Sequence, residues 1–95
     1  MSYRIFHRPS VTGDIEEAME YYEQISSRLS DLFLQRLIAS FDFIIKTPKA
    51  CQVRYRKVRT CLIKQFPYHI HYLINEKQKV IYIVAVIHSF SKPKY

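Results

Sequence analysis

Glycine, cysteine and long apolar runs are all scarce in this sequence of 95 residues. A single glycine almost excludes the glycine-rich loops that hold phosphates, and no Walker, dinucleotide-binding or serine-hydrolase motif occurs. The longest apolar run, Val80–Ile87, is far shorter than the roughly 20 residues that a membrane span requires. Two cysteines, Cys51 and Cys61, are too few for a disulfide framework or a zinc motif, so we expect reduced thiols. The N-terminal segment has no apolar run of signal-peptide length, which predicts a cytoplasmic protein.

Acidic residues are scarce in the second half of the chain. Residues 1–45 contain four basic and seven acidic residues, a balance of −3, whereas residues 46–95 contain eleven basic residues and one acidic residue, a balance of +10. This division favours an anionic partner, which is nucleic acid, a membrane surface or an acidic protein segment. The alternative is a solvated, lysine-rich surface.

The first half of the chain has the pattern of a strand followed by two helices. Tyr3–Arg8 is aromatic and β-branched and is stopped by Pro9, which predicts a strand. Ser10 and Thr12 are N-cap candidates for a first helix that ends near Ile25. Ser27 is the candidate cap of a second helix. Its apolar stripe ends at Lys46, before Pro48, and consists of Leu34, Leu37, Ile38, Phe41, Ile44 and Ile45.

The second half changes to the pattern of strands. Three segments rich in Val, Ile, Tyr and Thr cover Arg56–Gln65, Tyr68–Asn75 and Val80–Ser89, and short turns separate them. The sequence therefore predicts one α+β domain over residues 1–95, in the order β-α-α-β-β-β. A helical hairpin packs on a small, mainly antiparallel sheet, with the last strand in its interior.

Few side chains suggest chemistry on their own. His69 and His71 share a strand face, but no third ligand stands at a matching position, so we expect no metal and no cofactor. Strand alternation predicts Lys57 and Arg59 on one face of the first C-terminal strand, with Arg56 and Lys64 on the other. Phe66, Tyr68 and Tyr72 are candidates for stacking on nucleic acid bases, although core positions under the helices fit them better.

Several motifs in a fixed order resemble a known family. They are Asp14-Ile-Glu-Glu-Ala18, Tyr21-Tyr22-Glu23, Phe33, Ile44, Pro48, Arg54-Tyr55, Val58-Arg59, Phe66-Pro67-Tyr68-His-Ile-His-Tyr72 and Ala85-Val86-Ile-His88. Together they resemble the RelE/ParE superfamily of bacterial type II toxins, in its ParE-like (plasmid stabilisation) branch, from about residue 3 to residue 95. The resemblance implies a toxin that is masked by a cognate antitoxin, which is expected to be acidic and to fold on binding.

The same resemblance offers two targets. Members similar to RelE cut mRNA on the ribosome with cations on the sheet, whereas ParE-like members inhibit DNA gyrase. The positions that match those cations read Thr60, Leu62, His69 and Ser89, and only the terminal Tyr95 matches. The chain is therefore interpreted as a gyrase inhibitor rather than an enzyme. One alternative is a ribosome-associated nuclease that uses His69 and His88 as an acid–base pair, with Tyr95.

The C-terminal tail suggests a third possible function, and it contains two of the residues predicted to contact the target. Ser91 stands where ParE-like chains often have arginine, which is consistent with a non-toxic relict that only binds antitoxin. The residues predicted to contact the target are Arg59, Lys64, His88, Lys92 and Lys94. Those predicted to contact the antitoxin are Tyr21, Phe33 and Phe43. No membrane partner is expected.

Overall fold

Two helices packed on one five-stranded sheet form the fold in a computed structural model, which describes residues 3–90. The elements are β1 (Arg4–His7), α1 (Ser10–Glu23), α2 (Ser27–Lys46), β2 (Val53–Tyr55), β3 (Val58–Leu62), β4 (Tyr68–Asn75) and β5 (Val80–His88). The strand order is β1-β5-β4-β3-β2, with β1 parallel to β5 and all other neighbours antiparallel. The predicted α+β class is confirmed, with one strand more than expected.

The additional strand, β2, lies just before Arg56–Gln65, which the sequence predicts as one strand, and the first two residues of that segment form a turn. Arg56 and Lys57 form the turn between β2 and β3 with φ of +44° and +68°. Two successive left-handed residues are typical of a tight two-residue hairpin, which usually uses glycine or asparagine. The strand faces predicted for Arg56, Lys57 and Lys64 are therefore wrong, because all three residues lie in turns.

The helix caps differ from the predicted ones. Ser10 and Thr12 lie inside α1, whose N-cap is Pro9, without a side-chain hydrogen bond. Ser26, rather than Ser27, caps α2, and its hydroxyl oxygen accepts a 3.1 Å hydrogen bond from a backbone N–H three residues later. The first helix ends two residues earlier than predicted, whereas the predicted end of the second helix is confirmed.

The core lies between the helices and one face of the sheet. Phe66 and Tyr72 are buried there, as predicted, and Tyr68 is partly buried against the same cluster. Every residue of β5 is at least half-buried, since this strand lies between β1 and β4. The other buried members of the core are Val11, Ala18, Tyr22, Phe33, Leu37, Ile44, Cys61, Ile63, Ile70, Ile81, Ile83 and Val86.

A disulfide joins Cys51, in the loop after α2, to Cys61 on β3. The expectation of reduced thiols is therefore wrong for this structure. The fold brings the two Cα atoms to 5.5 Å, which is within the usual range for a disulfide. The cysteines are ten positions apart in the sequence, and the β2–β3 turn lies between them.

Candidate functional site

The sheet face opposite the helices, here called the open face, carries two of the four histidines. His69 and His71 alternate along β4 with Ile70 and Tyr72, which point into the core. The Nδ1 atom of His71 is hydrogen-bonded to the Tyr55 hydroxyl at 2.8 Å. The Nδ1 atom of His69 is hydrogen-bonded in the same way to the neighbouring Ser89 hydroxyl at 2.9 Å.

Both of these histidines favour the neutral form. Burial lowers the pKa of His71 to about 4, and repulsion from His69 adds to the effect. The pKa of His69 is lowered by burial and, to a smaller extent, by the nearby Arg54 guanidinium. The open face therefore presents neutral imidazoles near pH 7 rather than a cationic pair.

His88 lies on the other side of the sheet. It pairs with Tyr68, whose ring packs 5.4 Å from the His88 ring, and Tyr68 in turn contacts the core ring of Phe33. His69 pairs with Ile87 and so points to the opposite face. The predicted acid–base pair of His69 and His88 is therefore not assembled, and Tyr95, the third residue of that alternative, lies outside the described residues.

Three of the residues predicted to contact the target, Arg59, Lys64 and His88, lie within residues 3–90, and each has a different environment. Arg59 is half-buried, and its Nη1 donates to the Cys51 carbonyl at 2.7 Å and the Lys49 carbonyl at 3.3 Å, which gives it a structural role in holding the loop. Lys64 is exposed in the β3–β4 turn. His88 packs against Tyr68 as described, while Lys92 and Lys94 lie outside residues 3–90.

A groove runs between α2 and β3 on the side of the molecule that carries the disulfide. We call it the α2–β3 groove. Its volume is about 310 Å³, and its lining includes two exposed apolar residues, Phe43 at 49% and Leu62 at 59%. Leu62, at the end of β3, borders both this groove and the open face. Two cationic residues, Arg36 and Lys64, also line it. The full lining is Arg36, Ala39, Ser40, Phe43, Cys51, Cys61, Leu62 and Lys64.

Only two of the three predicted antitoxin contacts are on the surface. Tyr21 and Phe43 are exposed, whereas Phe33 has no exposed surface and packs among core aromatic rings. The prediction for Phe33 is therefore wrong, because a residue without exposed surface cannot meet a partner. Sequence reasoning missed the exposed apolar residues Leu62 on β3 and Ile38 on α2.

Residues 3–90 lack two features, a cluster of metal-binding side chains and a helix that could span a membrane. No group of three or more His, Cys, Asp or Glu side chains is arranged to hold a metal ion in that range. No helix there combines the length and the apolar character needed to cross a membrane.

This chain is similar in sequence to a known toxin family and in fold to solved toxin–antitoxin structures. The family described as ParE toxin of type II toxin-antitoxin system, parDE, matches residues 4–91. The structure of the chromosomal ParDE toxin–antitoxin system from P. aeruginosa matches with a TM-score of 0.77 at 11% identity, over 90% of this chain and 95% of that chain. The archaeal RelE–RelB complex from Pyrococcus horikoshii OT3 matches with a TM-score of 0.56 at 17% identity, over 97% of this chain and 100% of that chain. No curated protein sequence matches.

Proposed function

Because the chain belongs to the ParE toxin family of type II toxin–antitoxin systems, we propose that it inhibits DNA gyrase in the cytoplasm and is neutralised by a cognate antitoxin. The alternative target for this fold is mRNA on the ribosome. The two differ in what the protein must supply, since RNA cleavage requires groups that stabilise charge and move a proton, whereas gyrase inhibition requires only a binding surface.

The neutrality of four positions on the open face supports the gyrase proposal. Thr60, Leu62, His69 and Ser89 stand where the resemblance to ribosome-dependent nucleases expects cations. They lie together here, because Leu62 pairs with His69 and His69 is hydrogen-bonded to Ser89. The Arg54 guanidinium, on the edge strand β2, contributes to lowering the pKa of His69, but the four positions themselves carry no fixed charge. Such a face lacks the stabilisation that an in-line transition state requires.

The first test is pulse labelling of DNA and protein synthesis within minutes of inducing the chain in bacteria. The proposal expects DNA synthesis to fall first. An earlier fall in protein synthesis would contradict it in favour of mRNA cleavage. No fall in either would contradict it in favour of a relict that only binds antitoxin.

A second test locates the gyrase contact with charge reversals. We expect Lys64→Glu and the double variant Lys92→Glu/Lys94→Glu to lose inhibition in a supercoiling assay with purified gyrase. The matched control is Lys77→Glu, since this exposed lysine makes the same charge change in the β4–β5 turn. The contact assignment fails if the control loses inhibition to the same extent, or if both test variants keep it.

The α2–β3 groove is the proposed docking site of the antitoxin. Apolar surface from Phe43 and Leu62 beside Arg36 and Lys64 suits an amphipathic segment with carboxylates along one edge. We expect Phe43→Asp to abolish rescue by co-expressed antitoxin while growth inhibition by the chain alone persists. The control is Ile38→Asp, which places the same charge on an exposed apolar position of α2 outside the groove. Equal loss of rescue in both variants would exclude the groove.

A further inference from the structure

The disulfide lies where the edge of the core forms the wall of the α2–β3 groove. Cys61 exposes 5% of its surface, whereas Cys51 is half-buried, and both line the groove. Cys51 is therefore the sulfur that a small molecule in the groove reaches more readily. Lys64 and Arg36 line the same groove and favour an approaching anion such as a thiolate.

The loop that carries Cys51 is also held by bonds that do not involve sulfur. The Arg59 guanidinium donates to the Cys51 carbonyl at 2.7 Å, and the Tyr72 hydroxyl donates to the Pro48 carbonyl at 2.6 Å. Because Arg59 and Tyr72 belong to strands β3 and β4, these bonds keep the loop beside the sheet when the disulfide is broken. The two cysteines would then remain close enough to bond again without unfolding.

We propose that Cys51 and Cys61 form a reversible thiol–disulfide site that regulates what the α2–β3 groove binds. In the reducing direction, a small thiolate attacks the Cys51 sulfur, forms a mixed disulfide and releases Cys61 as a thiolate. A second small thiolate attacks the outer sulfur of the mixed disulfide, frees Cys51 and leaves a small-molecule disulfide. The reverse reaction uses that small-molecule disulfide as the oxidant of both thiols, so two electrons are transferred each way.

A reducing compartment would allow the disulfide to open and close as the supply of small thiols changes. Disulfides in reducing compartments are usually transient or redox-sensing, whereas those of oxidising compartments are permanent. This inference rests on the proposed function, because it assigns the groove to the antitoxin in the cytoplasm. With the disulfide closed, the groove wall is fixed before binding. With it open, the hydrogen bonds from Arg59 and Tyr72 still hold the loop beside the sheet but less rigidly, so the partner must order part of the wall, which lowers affinity.

The chemical step is tested on the free chain without any partner. The oxidised protein is incubated with graded ratios of reduced to oxidised glutathione, and thiols are trapped by alkylation and counted by mass spectrometry. We expect two thiols to appear while the far-ultraviolet circular dichroism stays that of the folded chain. The Cys61→Ser variant should form a mixed disulfide on Cys51 faster than Cys51→Ser forms one on Cys61. Thiols that appear only in denaturant, or a faster reaction at Cys61, would overturn the proposal.

The regulatory step is tested with the purified antitoxin by isothermal titration calorimetry. We expect the reduced chain to bind about fivefold or more weakly than the oxidised chain. The double variant Cys51→Ser/Cys61→Ser should show the weaker affinity with and without reductant, which separates the disulfide from other effects of the reductant. Equal affinities in both redox states would contradict regulation. The pulse-labelling and supercoiling tests do not measure thiols. The thiol and affinity measurements can therefore be interpreted even if the chain does not inhibit gyrase.

Discussion

Phe33 and Phe43 belong to the same helix, yet the structure predicts opposite consequences for replacing them with alanine. Phe33 has no exposed surface, and its ring packs 5.5, 5.1 and 5.3 Å from the rings of Tyr22, Phe66 and Tyr68. Phe43 is 49% exposed at the groove. Phe33→Ala should therefore destabilise the fold, whereas Phe43→Ala should mainly weaken partner binding.

The magnitude follows from the cavity that Phe33→Ala would leave. Phenylalanine-to-alanine changes in a core cost about 3–5 kcal/mol, and three aromatic contacts favour the middle of that range or above. A chain of this size is stable by only about 5–14 kcal/mol, so the loss is a large share of the total. A loss of about 4 kcal/mol lowers the melting temperature by about 15–30 °C. Phe43→Ala should cost less than about 1 kcal/mol.

Urea unfolding followed by far-ultraviolet circular dichroism measures both variants. If Phe33→Ala does not fold, the smaller change Phe33→Leu should still fold and lose about 1–2 kcal/mol. A cost below about 1 kcal/mol for Phe33→Ala, or equal costs for Phe33→Ala and Phe43→Ala, would refute this account of the core.

Three further predictions concern stability. In the folded chain the pKa of His71 is about 4, below its ordinary value of 6.5. Between these two pH values the unfolded chain binds a proton at His71 that the folded chain does not. The free energy of unfolding should therefore fall by up to about 3 kcal/mol as the pH drops from 6.5 to 4. His71→Gln should flatten the curve of urea midpoint against pH over this range, and an unchanged slope would contradict the assignment. Gly13→Ala should raise the free energy of unfolding by about 0.5–1 kcal/mol, since an added Cβ meets no atom within 4 Å and α1 gains a better helix former; a lower melting temperature would count against it. Tyr72→Phe should cost about 1–3 kcal/mol in urea unfolding, because it leaves the Pro48 carbonyl without its donor, and a neutral result would show that water replaces the hydroxyl.

The apolar pattern predicts helix α2 correctly, but part of the predicted apolar stripe lies on the exposed side of the helix. This helix has two apolar stripes, because Phe33 and Leu37 are buried while Leu34 and Ile38 are exposed. Both pairs have the i, i+4 spacing that places side chains on one helix face. Periodicity therefore shows that a helix exists, but it does not show which apolar stripe faces the sheet. The spacing of Phe33, Leu37 and Ile44 was the signal for the buried one.

The predicted histidine pair failed for a reason that sequence alone does not reveal. His69 and His88 are separated by a hairpin, so the strand register decides whether they share a face. Because Tyr68 pairs with His88, the neighbouring residue His69 points to the opposite face of the sheet. The β2–β3 turn was missed in a similar way, because Arg56 and Lys57 adopt left-handed conformations without glycine or asparagine.

Tyr21 and Phe43, the two exposed aromatic residues predicted to contact the antitoxin, differ in the charge that surrounds them. Helix α1 contains five acidic residues and no basic residue, and Tyr21 lies among them. An acidic segment approaching Tyr21 meets like charge within about a Debye length, which is about 10 Å at 0.1 M salt. Phe43 instead lines a groove with Arg36 and Lys64, so attraction adds to apolar contact.

We therefore expect Phe43→Ala to weaken antitoxin binding more than Tyr21→Ala does, in calorimetric titrations at low salt. Raising the salt concentration should weaken the association of the wild-type chain, since screening removes the attraction at the groove. Affinity that depends on Tyr21 more than on Phe43, or that rises with salt, would place the antitoxin beside Tyr21 on helix α1 instead.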